Sequence, residues 1–313
     1  MKLNEYAENV KANILEYLPQ EYQDAEVQIN KVSKNNGLEL TAISIKGNEN
    51  ICPNIYLEPF FEQYNNGISL EDSLKSISDV YLREMKNIPV FPIEKFTYEN
   101  IKDKLYVTLV NAEKNEKMLS DMPHKNYEDL ATVYRIQVNV SPENRGSIAI
   151  HNSHLSMFGV DVETLHEQAM ANMKQLMPYS FQNMNEILAE MMGDFPEELM
   201  LSEAEMCPMW VLTNIDKMNG AAYMLDDEVL RDISEKLDSN LIILPSSIHE
   251  CIILCEDENM DLDYIRSMVG DVNATQVEPE EVLSDSIYRY DAKEQTLSKV
   301  EDAGQTQGMK FGM

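Results

Sequence analysis

The stretch Asn240-Leu241-Ile242-Ile243-Leu244-Pro245-Ser246-Ser247-Ile248-His249-Glu250-Cys251-Ile252-Ile253-Leu254-Cys255 reads as two short apolar strands, Leu241–Leu244 and Glu250–Leu254, joined across Pro245-Ser246-Ser247. Proline presets φ for a turn and serine bonds nearby backbone, so the connection is tight and the strands are neighbours. Just upstream, Asp226 to Leu237 places Val229, Ile233 and Leu237 on one helical face. Downstream, a helix from about Asp261 to Met268 and a strand pair around Ile287–Tyr290 are expected. Cys251 and Cys255 share a face of the second strand with Ile253, which suits buried thiols.

Further toward the N-terminus the same alternation of short strands and helices recurs. Met209–Thr213 is read as a strand, followed by a loop ending in Asn219-Gly220 and a second strand, Ala221–Leu225. Residues 181–192 read as a helix, and Asp161 is suited to cap a helix carrying Leu165, Ala169, Met173 and Leu176. Leu130–Val140 and Ser147–Ile150 read as paired strands, Leu105–Val110 as a strand and 112–120 as a short charged helix. Ser69 with Asp72 three residues later has the form of a capping box. Before it, Val27-Ile29 and Leu38-Leu40 form a hairpin around Asn36-Gly37, a short strand lies near Ile55-Leu57, and residues 3–18 form an amphipathic helix. Hairpins mixed with helices predict an α+β fold with antiparallel sheets and packed helices in two to three subdomains, not a doubly wound sheet. The expected regions are 1–91, 92–200 and 201–299, with a frayed tail over 300–313.

The charge is lopsided. The chain of 313 residues has 55 Asp+Glu against 25 Lys+Arg, a formal net charge of -30. Residues 151–300 hold 30 acidic and only 8 basic side chains, so the excess lies mainly in the second half. Such a field repels nucleic-acid phosphates and anionic membrane and argues against both as partners. No window is apolar enough to span a bilayer, the first residues lack the apolar run of a signal peptide, and the four cysteines form no disulfide framework. These features lead to the expectation of a cytoplasmic protein. With 11 Gly and no Gly-rich phosphate loop, no cofactor is expected.

Three sets of residues are candidates for function. Ser246, Ser247 and His249, beside Glu250, include the groups of a hydrolase, although they lack the Gly-x-Ser-x-Gly elbow and a turn explains them more simply. His151, His154 and His166 are the densest imidazole group and could ligate zinc, although their spacing is not His-Glu-x-x-His. Asp226-Asp227-Glu228 and Glu256-Asp257-Glu258 are acidic clusters suited to docking a basic protein. The leading expectation is a non-enzymatic protein-interaction module. The alternatives are a hydrolase or metal-dependent enzyme and a DNA mimic that inhibits a nucleic-acid enzyme.

Asn240 to Glu250, Asp129-Leu130-Ala131-Thr132-Val133-Tyr134, Leu283-Ser284-Asp285-Ser286-Ile287-Tyr288 and Pro123-His124 together resemble the uncharacterised bacterial family labelled domain of unknown function 5688, from roughly residue 1 to 299. More distantly, the order of elements from Leu130 onward, with Ala169-Met170-Ala171-Asn172 on a helix, is similar to domain of unknown function 1444. The resemblance implies a cytoplasmic protein of gut-type Gram-positive bacteria, often encoded near mobile elements. It implies no activity, cofactor or catalytic residue.

Overall fold

The computed structural model describes residues 1–47, 52–87, 96–141, 144–192 and 208–301. The fold is α+β, and its sheets are antiparallel. The chain divides into two compact units, Met1–Lys95 with Val138–Ser147, and Phe96–Gln137 with Ile148–Met313.

In the first unit, α1 (Leu3–Asn13) precedes a three-stranded sheet of β1 (Glu26–Ser33), β2 (Glu39–Lys46) and β3 (Asn54–Tyr56), followed by α2 (Glu58–Asn65) and α3 (Leu70–Asn87). The β1–β2 turn forms where Asn36 and Gly37 take φ 60° and 69°, the left-handed region that these residues tolerate best. α3 starts at the expected box. The Asp72 amide donates to Ser69 Oγ at 3.1 Å, and Ser69 Oγ donates to Asp72 Oδ2 at 2.7 Å. Tyr6 and Val10 of α1, Ile43 and Ile45 of β2, and Leu74, Ile77 and Tyr81 of α3 make one core. The Tyr81 hydroxyl donates to the Ile45 carbonyl at 2.9 Å, so its burial leaves no polar group unpaired.

The remaining elements lie in the second unit, apart from the stretch Val138–Ser147 that belongs to the first. These begin with α4 (Tyr98–Ile101), β4 (Leu105–Asn111), α5 (Glu116–Leu119), β5 (His124–Tyr127), β6 (Leu130–Ser141) and β7 (Asn144–Ala149). They continue with α6 (Asn152–Phe158), α7 (Val162–Leu176), β8 (Tyr179–Asn183), α8 (Met184–Met192), β9 (Met209–Asn214), α9 (Asp227–Leu237), β10 (Leu241–Leu244), β11 (Cys251–Cys255), α10 (Leu262–Thr275), β12 (Tyr288–Asp291) and β13 (Thr296–Lys299). One sheet has the order β4-β6-β5, with β7 also paired to β6. The other runs β13-β12-β10-β11-β9-β8. α7 is tied to β4 by Asn172, whose side-chain amide donates to the Lys102 and Leu105 carbonyls at 2.6 and 2.9 Å. β10 is buried on both faces: Ile242 and Leu244 pack with Leu254, Ile265, Val269 and Ile287, while Leu241 and Ile243 point the other way and are equally buried.

Three expectations from the sequence need correction. Ala221–Leu225 belongs to a 3-10 turn, Gly220–Leu225, not a strand. Its amides at Gly220 and Ala221 donate to the His249 and Ile248 carbonyls, and Gly220–Met224 are buried, so a short apolar run looked like a strand when it is only a buried turn. The helix expected over 181–192 begins at Met184, because Tyr179–Asn183 pairs with β9 as an edge strand. The charged helix of 112–120 shrinks to the single turn of α5. The tail beyond Glu301 and Cys207 lie outside the described residues.

Candidate functional site

The acidic residues gather around α9. Asp226 caps the helix, its side chain accepting from the Val229 amide at 3.1 Å. Lys174 of α7 reaches Asp226 Oδ2 at 3.5 Å and also bonds Glu228. That ion pair, led by its hydrogen bond, lowers the Glu228 carboxyl. Two of the three acids in the first cluster are therefore committed inside the unit, and only Asp227 has no ion-pair partner among the described residues.

At the other end of α9 lies a cleft of about 820 Å³, within the range of roughly 300–1,000 Å³ typical of ligand sites. Its wall is the last turns of α9 with Asp238, the entry to β10, the segment after β11, and Tyr290 of β12. Asp238 ends the helix at φ 50°, a left-handed conformation that Asp tolerates because its side chain is short and polar. Asn240 ties three segments together. Its Nδ2 donates to Glu256 at 2.7 Å, and its Oδ1 accepts from the Ala292 amide at 2.8 Å. Glu256 is clamped by the Arg289 fork at 2.6 and 2.9 Å, and Arg289 also reaches Asp291 at 2.9 Å. The Arg289 hydrogen bonds hold the Glu256 carboxyl below its ordinary range.

The remaining acids of the cleft are not neutralised in this way. Glu235, Asp238, Asp257 and Glu258 line it and have no ion-pair partner among the described residues. Asp257 accepts from the Asn259 amide at 2.7 Å, which shapes the loop but supplies no charge. Arg231 is the only cation in the lining. Tyr290 is 1% exposed, and its hydroxyl has no hydrogen-bond partner among the described residues. The structure thus brings Glu256, Asp257 and Glu258 together with Glu235 and Asp238, which sequence spacing alone did not unite, and places Asp226-Asp227-Glu228 at the opposite end of the helix.

The Pro-Ser-Ser-Ile-His segment is a pinned connection. The His249 amide donates to Ser247 Oγ at 3.0 Å, and Ser247 forms a bridge with Val282. His249 Nδ1 accepts from the Asn219 amide at 3.1 Å, which leaves the proton on Nε2, 3.2 Å from Glu281. Both ring nitrogens are engaged, and neither bonds Ser246 or Ser247. Glu250 is raised by burial, a shift that neighbouring His249 partly offsets.

The histidines are spread over separate contacts. His151 Nδ1 bonds Asp121 at 2.8 Å, and its amide donates to His154 Nδ1 at 3.1 Å. His154 packs edge-on against Phe96, and burial lowers its pKa. His166 bonds the Tyr134 hydroxyl at 3.1 Å and is likewise lowered by burial. Among the described residues no group of three His, Cys, Asp or Glu is placed to hold a metal. Cys52 and Cys251 are free thiols, and burial pushes the Cys251 thiol up. No helix among the described residues is long and apolar enough to cross a membrane.

One convergence was missed from the sequence. Asp129, held between β5 and β6, accepts from Ser284 Oγ, from Ser286 Oγ at 3.1 Å and from the Tyr288 hydroxyl at 2.6 Å, with Lys299 Nζ at 3.3 Å. The amides of Leu283 and Ser284 donate to Ser246 and Pro245 carbonyls at 2.8 and 3.0 Å. Three of the sequence runs quoted for the family resemblance therefore meet at one place. The only signal beforehand was an acid directly before a buried strand.

No curated protein and no solved structure matches the chain. A family model, described as Family of unknown function (DUF5688), matches residues 3–292.

Proposed function

We propose that this chain, which belongs to the Family of unknown function (DUF5688), is a non-enzymatic cytoplasmic interaction module whose acidic cleft docks a basic segment of a protein partner. The observation that carries the reading is the contrast between committed and uncommitted acids. Asp226 and Glu228 are held by Lys174, and Glu256 by Arg289, whereas Glu235, Asp238, Asp257 and Glu258 face one cleft with Arg231 as the sole cation in its wall. Folding has placed like charges together at a cost in repulsion, and a ligand of opposite charge relieves that cost. The cytoplasmic assignment is supported by free thiols at Cys52 and Cys251.

Charge attraction of this kind weakens as salt shortens the Debye length from about 8 Å at 0.15 M to about 3 Å at 1 M. A fluorescein-labelled peptide of alternating Arg and Gly is expected to bind at low salt and to lose at least tenfold in affinity by 1 M, while duplex DNA does not bind at 0.15 M. Affinity that is unchanged across that range contradicts electrostatic docking.

A further inference from the structure

A second cavity, of about 380 Å³, lies beside the first turn of α9. It is at the small end of the roughly 300–1,000 Å³ usual for ligand sites. β5, α7, the start of α9 and β13 contribute Lys125, Tyr127, His166, Asp227 and Leu297 to its wall, and Leu225 completes it. The Tyr127 hydroxyl donates to the Leu297 carbonyl, which pins β5 to β13. Lys125, His166 and Leu297 are half-buried and Asp227 is exposed, so a solute reaches them from solvent. Two opposite charges line this cavity without pairing with each other. Asp227 has no ion-pair partner among the described residues. Lys125 Nζ bonds the Glu163 oxygens at 3.0 and 3.1 Å, yet an ammonium has three N–H donors and one remains. His166 adds a neutral group. Its Nδ1 meets the hydroxyl of fully buried Tyr134 at 3.1 Å, and burial, followed by the Lys125 charge, lowers its pKa. With that hydroxyl donating to Nδ1, the ring proton lies on Nε2, which has no partner among the described residues.

We propose that this cavity binds a free α-amino acid with an apolar side chain, its ammonium on Asp227 and its carboxylate on Lys125 and the His166 N–H. A ligand of one sign does not satisfy the wall. An anion meets Asp227 and a chain of net charge -30, and a simple cation meets Lys125. A zwitterion carries no net charge into that field and pairs with both groups. Leu225, Leu297 and the Tyr127 ring supply apolar surface for the side chain, while the polar groups fix its orientation. The cavity shares only Gln295 with the lining of the acidic cleft, so amino-acid binding and peptide docking can each fail without the other.

Isothermal titration calorimetry of L-leucine into the wild-type protein tests this. Isoamylamine, which lacks the carboxylate, and isocaproate, which lacks the ammonium, are titrated for comparison. The expected result is saturable binding of L-leucine and about tenfold weaker binding of either analogue, the scale of one lost charge-assisted contact. Asp227→Asn and Lys125→Gln should each weaken L-leucine by about tenfold, whereas Glu228→Gln, outside the lining, leaves it unchanged. The analogue comparison uses wild-type protein alone, so it stands whatever the stability of the variants. Absence of saturable L-leucine binding overturns the proposal. So does an analogue that binds within about twofold of L-leucine, or a folded D227N or K125Q that binds L-leucine as the wild type does.

Discussion

Replacing Asp129 by alanine is expected to destabilise the protein by about 3 kcal/mol, the scale for removing one member of a buried charged network. The carboxylate accepts hydroxyls from Ser284, Ser286 and Tyr288 and lies 3.3 Å from the Lys299 ammonium, so one truncation strands four groups. Tyr288 is fully buried and cannot turn to water. Burial by itself raises the Asp129 carboxyl, but the bonds from Ser284 and Tyr288, the Lys299 charge and the Ser286 bond outweigh it and hold the group below its ordinary value. The pH dependence has a definite sign. A carboxyl depressed on folding contributes stability that is fully present above its unfolded pKa, near 4, and is lost as pH falls through the lower folded value. Urea midpoints of wild type and Asp129→Ala should therefore differ most at pH 7 and converge toward pH 3. A difference below about 1 kcal/mol at pH 7, or one that persists unchanged in acid, contradicts the role given to Asp129.

Gly220→Ala is expected to cost about 3 kcal/mol through steric conflict. A Cβ added at Gly220 would lie 2.5 Å from Thr213 Oγ1, 2.7 Å from the Asn214 nitrogen and 2.8 Å from the His249 carbonyl oxygen. Two of those atoms are backbone and cannot rotate away. Thr213 Oγ1 is itself held, donating to the same His249 carbonyl at 2.8 Å, and the Gly220 amide donates there too at 3.0 Å. Relief requires the 3-10 turn to separate from the His249 connection, breaking both bonds. Equilibrium urea unfolding should show a lower midpoint with an unchanged slope, the mark of lost stability without a changed denatured state. A midpoint equal to that of wild type would show that the turn has room the structure does not provide.

Most elements could be read from local chemistry. Asn36-Gly37 marked its hairpin through left-handed backbone, Ser69 and Asp72 marked a helix start, and Asp161 and Asp226 marked two more by accepting amides in the next turn. Errors fell where burial erased periodicity. Gly220–Met224 are all buried, so apolar content could not separate a strand from a tight turn. The site was half legible. The acids stood out by composition, but whether an acid is spent or free depends on distant cations. Lys174 is 54 residues from Glu228 and Arg289 is 33 from Glu256, and nothing local announces either pair. Tyr290 gave no signal at all, because an unpaired hydroxyl is visible only after its neighbours are placed.

That distinction between spent and free acids is the centre of the account, and paired charge reversals test it most directly. The cleft variant Glu258→Lys and the control Glu228→Lys change the net charge equally, the first at an acid with no ion-pair partner among the described residues and the second at one held by Lys174. Affinity for the labelled Arg-Gly peptide at 0.15 M salt should fall at least tenfold in the cleft variant and stay within about threefold of wild type in the control, where only the general field is altered. An equal fall in both would show that bulk charge alone attracts the peptide, and no fall in either would show that the acidic surface is merely solvated.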